Sequence, residues 1–409
     1  MIFYGVSVDT NNKLDGFFSI DRGAFRCAAA GGLNSAIAHL VIARGTGRDN
    51  HVTQWSVHAI EERTGISRPN AAKAIKDLLD RGVWKRIREG QHPIYEAVSG
   101  NQISCGPFVA AEQAAIEAIR AGASIPYGCA EAVTALKARG LIREVDDGRR
   151  KEFKLDDKAI AALCEPFTIW IPNTVVDGAA GEVPPVELVR QTRSLPALRL
   201  LIELYGVQFL PNFGGVPRDL LKTVFDRAKI GEQGSFVVWG FKVKHTEASH
   251  ELGRPFLSGR RTAIEGGTKD AAWQEVFWPA VSVIEELGLV ERVGMLVDGD
   301  DPEAEVIHPY GIRMGEPSER ELADAAQTTA AAMVTEGQFE WAATQGYDYL
   351  VPVRRHIANV TLVEVFRLKY RPHTAATAAW HAQMQETTAE YIARYRALLG
   401  DAAVGRRAA

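Results

Sequence analysis

The sequence contains few cysteines, and their spacing suggests neither a metal site nor a disulfide framework. The four cysteines, Cys27, Cys105, Cys129 and Cys164, lie far apart and include no C-x-x-C pair. No apolar run approaches the roughly 18 residues of a membrane-spanning helix. The N-terminus also lacks the basic-then-apolar order of a signal peptide. These absences predict a protein of a reducing cytoplasm, without a membrane partner.

Motifs of common enzyme classes are also missing. The sequence has no G-x-x-x-x-G-K-[ST] loop for nucleotide phosphates and no G-x-S-x-G nucleophile elbow. The ten histidines include no H-x-H or H-x-x-x-H pair that would suggest a metal site. We therefore predict no catalytic residues, no metal and no cofactor, and we expect that the protein is not an enzyme.

Charge is unevenly distributed along the chain. The 409 residues carry a formal net charge of −4, with 46% hydrophobic and 24% charged residues, which is typical of a globular protein of two to four domains. Residues 1–98 contain 13 Lys+Arg and 10 Asp+Glu, a net charge of +3, so the remainder carries −7. Any contact with nucleic acid must therefore be local.

Residues 34–98 show a regular order of helix and strand signals. Apolar residues at helical spacing in SAIAHLVIAR are followed by a polar turn and by the strand-like HVTQW. Ser56 is a suitable N-cap for the next helix, and Gly65 is a suitable stop. A further helix opens after Ser67 and ends at Gly82. The stretch VWKRIREGQHPIYEAV then predicts two strands joined by a glycine-containing turn.

This order resembles the winged helix-turn-helix superfamily of bacterial DNA-binding proteins, and TGISRPNAAKAIKDLLDRGVW carries most of the resemblance. The helix after the tight Thr64–Ser67 turn is then the one that enters the major groove of DNA, which is wide enough for one helix. We expect Ala72, Ile75, Leu78 and Leu79 to bury one face of this helix. The opposite, polar face is then left for the duplex.

The resemblance assigns roles to the polar residues of this segment. Arg and Asn form bidentate hydrogen bonds with guanine and adenine, so Arg68 and Asn70 are predicted to contact bases. Lys73 and Lys76 are predicted to bind phosphate, with an alternative i,i+4 pair between Lys73 and Asp77. The predicted hairpin and flanking contacts to the DNA backbone are Lys85, Arg86, Arg88, His92, Arg48 and His51. The alternative is that these charges are simply solvated.

Later parts of the chain contain weaker versions of the same order. LKARGLIREVDDG at 136–148 matches LLDRGVWKRIREG at 78–90, and a similar helix and hairpin occur near 270–312. We therefore predict an α+β, mainly helical protein with two or three winged-helix units and a helical C-terminal region. The predicted regions are an N-terminal segment at 1–33, winged-helix units at 34–100, 107–160 and 187–312, the last with a helix near 217–228, and a helical region at 316–400.

Several winged-helix units in one chain are similar in architecture to the replication initiators of plasmids and phages. The resemblance implies a sequence-specific double-stranded DNA-binding protein of a mobile element or bacterium, acting in replication initiation. A transcriptional regulator is one alternative. The other is a module for protein–protein assembly that does not bind DNA. A homodimer is compatible with each of these interpretations.

Overall fold

The computed structural model describes residues 16–47, 49–90, 92–103, 108, 110–138, 140–146, 151–163, 167–210, 215–249, 252, 273–310, 316–372 and 374–408. The chain divides into two units. The helical unit comprises Met1–Gly206 and His250–Leu289, and the sheet unit comprises Val207–Ser249 and Val290–Ala409. Both units mix helices with strands, so the predicted α+β class is confirmed. The winged-helix units stay a prediction.

The helical unit consists of short elements. Its helices are α1 (Arg22–Ala30), α2 (Leu33–Arg44), α3 (Val57–Thr64), α4 (Arg68–Asp80), α5 (Ala110–Arg120), α6 (Ala130–Ala138), α7 (Asp157–Leu163), α8 (Thr174–Asp177), α9 (Pro185–Thr192), α10 (Leu195–Val207) and α11 (Gln274–Glu286). Its strands are β1 (Phe17–Asp21), β2 (Val52–Thr53), β3 (Trp84–Arg88), β4 (Ile94–Ala97), β5 (Ile142–Asp146), β6 (Lys151–Leu155) and β7 (Thr168–Pro172). The antiparallel pair of β1 and β7 joins the start of this unit to the segment after α7.

Helices α2, α3 and α4 with strands β2, β3 and β4 form the first module, residues 33–97. The strands make one antiparallel sheet in the order β2-β4-β3. Helix α2 is the centre of the packing, because it contacts α1, α3 and α4. Its apolar side chains Ile37, Leu40, Val41 and Ile42 are at most 1% exposed. Such burial of an entire helix explains the nearly continuous apolar sequence of α2.

The buried face of α4 differs from the predicted one. Ala71, Ala74, Ile75 and Leu78 are buried at i, i+3, i+4 and i+7, whereas Ala72 is exposed and Leu79 is only half-buried. The predicted burial of Ala72 is therefore wrong. The predicted and the observed buried residues both have helical spacing. The observed set, with its i, i+3, i+4, i+7 spacing from Ala71, forms one continuous apolar stripe along the helix.

A second module, residues 108–163, has a similar order of elements. Helices α5 and α6 pack together and are followed by the antiparallel hairpin β5–β6 and by α7. A small core holds them, with Ile116, Leu136, Leu141 and Ile142 nearly inaccessible. The turn of the hairpin, 147–150, lies outside the described residues.

The sheet unit is built around one antiparallel sheet of six strands. Its strands are β8 (Leu221–Gln233), β9 (Phe236–Ala248), β10 (Val290–Asp298), β11 (Val306–Tyr310), β12 (Tyr349–Arg354) and β13 (Val360–Leu368). They lie in the order β11-β10-β13-β8-β9-β12. Helices α12 (Pro317–Met333) and α14 (Ala375–Ala408) pack on each other, α13 (Glu336–Thr344) lies against β8, and the core includes Met295, Leu362 and Met384.

This sheet overturns the predicted third winged-helix unit at 187–312 and the separate helical region at 316–400. Strand β10 pairs along its whole length with β13, so strands of both predicted regions share one sheet. The predicted helix near 217–228 is also wrong, because Leu221–Gln233 is strand β8. The helix and hairpin signals around 270–312 are local in sequence. The architecture is instead set by the pairing of β10 with the distant strand β13.

Strand β13 carries a buried ion network. All nine of its residues are buried, including Arg367, which is 0% exposed. Its guanidinium donates from Nη1 to Glu319 Oε1 at 3.0 Å and from Nε to Glu291 Oε1 at 2.8 Å. The indole Nε1 of Trp380 donates to Glu319 Oε1 at 3.1 Å. Burial by itself would lower the pKa of Arg367. The charges of Glu319 and Glu291 raise this pKa by more than burial lowers it, so the net shift is upward and the guanidinium stays charged.

We predict that Arg367→Met destabilises the protein by about 3–5 kcal/mol, since it leaves Glu319 as a buried carboxylate without its cation. Adding Glu319→Gln removes that charge and keeps an acceptor for Trp380, so the double variant should recover much of the loss. Thermal unfolding by calorimetry measures both effects. Arg320→Met, at an exposed position of α12, is the control and should change little. A double variant no more stable than Arg367→Met would contradict this account.

Candidate nucleic-acid interface

A tight turn sets the direction of α4. Thr64 is fully buried, and its Oγ1 donates to the Ile60 carbonyl at 2.6 Å and accepts from the Ile66 amide at 3.3 Å. Gly65 has a φ of +60° at the end of α3, a conformation that glycine adopts without strain. Ile66 is 3% exposed and anchors the turn in the core. These contacts fix the chain just before α4 begins.

The first turn of α4 presents polar groups to solvent. Ser67, at the N-cap, makes no side-chain capping hydrogen bond, and Pro69 has no amide hydrogen. Arg68, Asn70, Lys73 and Lys76 are all exposed. No carboxylate occurs between Arg68 and Lys76. This end of the helix therefore combines free amide groups, the positive end of the helix dipole and cationic side chains, which together favour anions.

The first carboxylate of α4 is already paired with an arginine. Asp77 Oδ2 accepts from Arg81 Nε at 3.0 Å, an i,i+4 pair on the same helix. The predicted alternative pair between Lys73 and Asp77 does not form. Lys73 has no carboxylate within ion-pair distance among the described residues, and its ammonium group is left for an outside partner.

The hairpin β3–β4 carries Lys85, Arg86 and Arg88, all of them exposed. Lys85 lies opposite Glu96, and Arg86 lies opposite Tyr95. A bulge after Arg86 places Arg88 opposite Ile94. Because cross-strand partners share a face, Lys85 and Arg88 lie on one face of the ribbon and Arg86 on the other. The three cations are therefore divided between the two faces of the ribbon.

Three of the predicted side chains, Arg88, His51 and Arg86, have partners within this sheet and its turn. The Arg88 guanidinium donates from Nε and Nη2 to the His92 carbonyl, at 3.2 and 3.0 Å, and so closes the turn of the hairpin. The His51 ring Nε2 lies 3.0 Å from Glu96 Oε1. The guanidinium of Arg86 lies over the Tyr95 ring at 5.7 Å. Arg48 lies outside the described residues.

A buried histidine that no sequence motif marks, His39, connects the hairpin to the helices. Trp84 Nε1, at the start of β3, donates to His39 Nδ1 on α2 at 2.9 Å. Both side chains are buried, and burial lowers the pKa of His39 to about 3, so the ring is neutral. A single histidine in an otherwise apolar helix, with a tryptophan opening the hairpin, was the available signal for this contact.

Comparison with protein-family models, with curated proteins and with solved structures gives no match. In the described part of the chain, no cluster of three metal-ligating side chains is present. Among those same residues, no helix is both long enough and apolar enough to cross a bilayer.

The His39–Trp84 contact predicts a pH dependence of stability. Since the pKa of His39 is lowered in the folded state, only the unfolded chain takes up a proton as the pH falls below about 6.5. The contribution of His39 to the free energy of unfolding therefore decreases as the pH falls, by about 1.4 kcal/mol per pH unit between about pH 6.5 and pH 3. Urea unfolding of wild type and His39→Gln between pH 7.5 and 5 measures the difference in slope.

The His39→Gln variant should show a flatter pH profile than the wild type, even where it is less stable at pH 7.5. His58→Gln, at an exposed position of α3, should follow the wild-type slope. Equal slopes for wild type and His39→Gln would show that His39 titrates normally in the folded protein.

Proposed function

We propose that this protein binds double-stranded DNA in a sequence-specific manner through its first module, used as a winged helix-turn-helix. The observation that carries the proposal is the two-sided character of α4. One side buries Ala71, Ala74, Ile75 and Leu78, and the other exposes a polar face without carboxylates from Arg68 to Lys76. A helix of this kind fits the major groove, where its side chains reach base edges.

The neighbouring elements support the same partner. The order α2, β2, α3, α4, β3 and β4, with the sheet order β2-β4-β3, places a two-stranded ribbon directly after α4. Lys85, Arg86 and Arg88 extend from that ribbon into solvent. Cationic side chains beside the helix suit the DNA backbone, which supplies most of the sequence-independent affinity. With an overall charge of −4, such binding must be local.

We propose a division of tasks within this surface. Arg68 and Asn70, in the first turn of α4, read bases, because their side chains can each make paired hydrogen bonds to a purine. The phosphate contacts are assigned to the remaining predicted residues, Lys73, Lys76, Lys85, Arg86, Arg88, His92 and His51, and to Arg48. No enzymatic step and no cofactor belong to this proposal.

Replication initiation in a bacterium or a mobile element remains the role that we propose for this DNA binding. It is supported by two helix–helix–hairpin modules in one chain, 33–97 and 108–163. A transcriptional regulator would differ in its sites on DNA. Protection mapping of genomic fragments distinguishes the two roles, because repeated direct sites beside an AT-rich tract favour initiation and a single palindrome at a promoter favours regulation.

Two substitutions test the assignment of base and phosphate contacts. Arg68→Ala should weaken binding to the selected site by about 1–3 kcal/mol, a loss of roughly 5- to 150-fold, and should affect random DNA less. Arg86→Ala should weaken binding to both DNAs equally and lower the salt dependence of the logarithm of the affinity by about 1. Fluorescence anisotropy with labelled duplexes between 50 and 300 mM salt, roughly the range in which counterion release is visible, measures both.

Arg354→Ala, at an exposed position of the sheet unit, is the matched control and should leave both affinities unchanged. Equal losses on selected and random DNA from Arg68→Ala would remove this residue from base recognition. A wild-type protein that binds no duplex at 50 mM salt, about the lowest in the series, would refute DNA binding and favour the assembly module.

A further inference from the structure

Ion pairs connect helix α8, which follows the second module, to the first module. Asp177, the last residue of α8, accepts from Arg44 Nη2 at 2.6 Å and from Arg63 Nε at 3.2 Å. Arg44 is the last residue of α2, Arg63 lies in the last turn of α3, and the Arg63 guanidinium lies over the Trp55 ring at 3.9 Å. A rigid link of this kind makes α8 and α9 part of the same body as the helix-turn-helix.

Helix α9 then reaches the turn that precedes α4. Val186 and Val189 are fully buried, and α9 contacts both α2 and α3. A methyl group built on Gly65 would lie 3.5 Å from Arg190 Nη2 and 3.5 Å from Glu187 Oε1. The side of α9 that carries Glu187 and Arg190 therefore lies against Gly65, three residues before Arg68.

Three donors hold the Glu187 carboxylate in place. Arg190 donates from Nε and Nη2, at 2.5 and 2.6 Å, and Gln191 donates from Nε2 at 3.0 Å. The charges of Glu187 and Arg190 offset each other. Arg190 is therefore a positioning residue, because it fixes the last turn of α9 beside Gly65 without leaving a free cation there.

Arg193 is the cation that this arrangement leaves exposed. It ends α9 with a φ of +59°, and its side chain is exposed. No described carboxylate lies within ion-pair distance of it. A non-glycine residue in this left-handed region is uncommon. Arg193 follows Arg190 by three residues, and it is Arg190 whose guanidinium lies near Gly65.

We propose that the end of α9 is a further part of the DNA-binding surface, in which Arg193 binds a backbone phosphate beside the groove entered by α4. This inference rests on the proposed function. The contact is electrostatic and independent of sequence, since an arginine on a phosphate positions the protein without reading a base. The DNA-binding body then includes residues 173–193 as well as 33–97.

The test replaces Arg193 with Asn, which tolerates the left-handed conformation, and with Lys, which keeps the charge. Removing one phosphate contact lowers the salt slope by about 0.9 and weakens binding about fivefold at 0.15 M salt, on selected and random duplexes alike. We expect this result for Arg193→Asn, and wild-type slopes for Arg193→Lys. Arg320→Gln, at an exposed position of α12, is the control for loss of one positive charge.

The outcomes separate this inference from the function on which it rests. An unchanged slope for Arg193→Asn, while Arg68→Ala and Arg86→Ala still weaken binding, overturns the role of α9 and leaves the DNA-binding proposal standing. A wild-type protein with no duplex affinity overturns both. A loss on the selected duplex alone also overturns the inference, because a phosphate contact must act on every sequence. The melting temperature of Arg193→Asn should equal that of the wild type.

Discussion

The organisation of the helical unit depends on how α4 packs against α2. Ala71, Ala74, Ile75 and Leu78 form the buried stripe of α4, and the helix contacts both α2 and α3. Burial of this stripe fixes the rotation of α4 about its axis, and therefore which side chains reach solvent. A rotation by one residue would bury Ala72 and change the face on which Arg68 and Lys76 are presented. The chemistry of the exposed face is therefore set by apolar contacts on the opposite side.

Much of the first module could be predicted from sequence, because its signals are local. Gly65, Ser67 and Gly82 mark helix ends by their own backbone preferences, and the two hairpin strands follow from β-branched and aromatic residues near a glycine turn. The exact buried stripe of α4 and the faces of the hairpin could not be predicted. Ala71 and Ala72 have the same side chain, and a single bulge after Arg86 changes which cations share a face.

The sheet unit could not be predicted, because its sheet is formed by strands that lie far apart in the sequence. Strand β13 contains Glu364 and Arg367, two charged residues that normally mark a solvent-facing position, yet they are 3% and 0% exposed. Arg292 and Glu319, from other elements, supply their countercharges. Similarly, α9 is assigned by sequence to the predicted unit at 187–312, because nothing in its sequence indicates that it packs beside Gly65. Partners that lie far away in sequence leave no local periodicity to detect.

The interrupted order of the helical unit has a consequence for synthesis on the ribosome. The chain leaves this unit after α10, completes the whole β8–β9 hairpin of the sheet unit, and only then supplies α11, which packs against α9. The nascent helical unit must therefore wait for its last helix while two long strands of the other unit are already outside the exit tunnel. Those strands, in turn, lack β13 and β12 as neighbours until the C-terminal third emerges. A chaperone that covers unpaired strand edges would act in this interval.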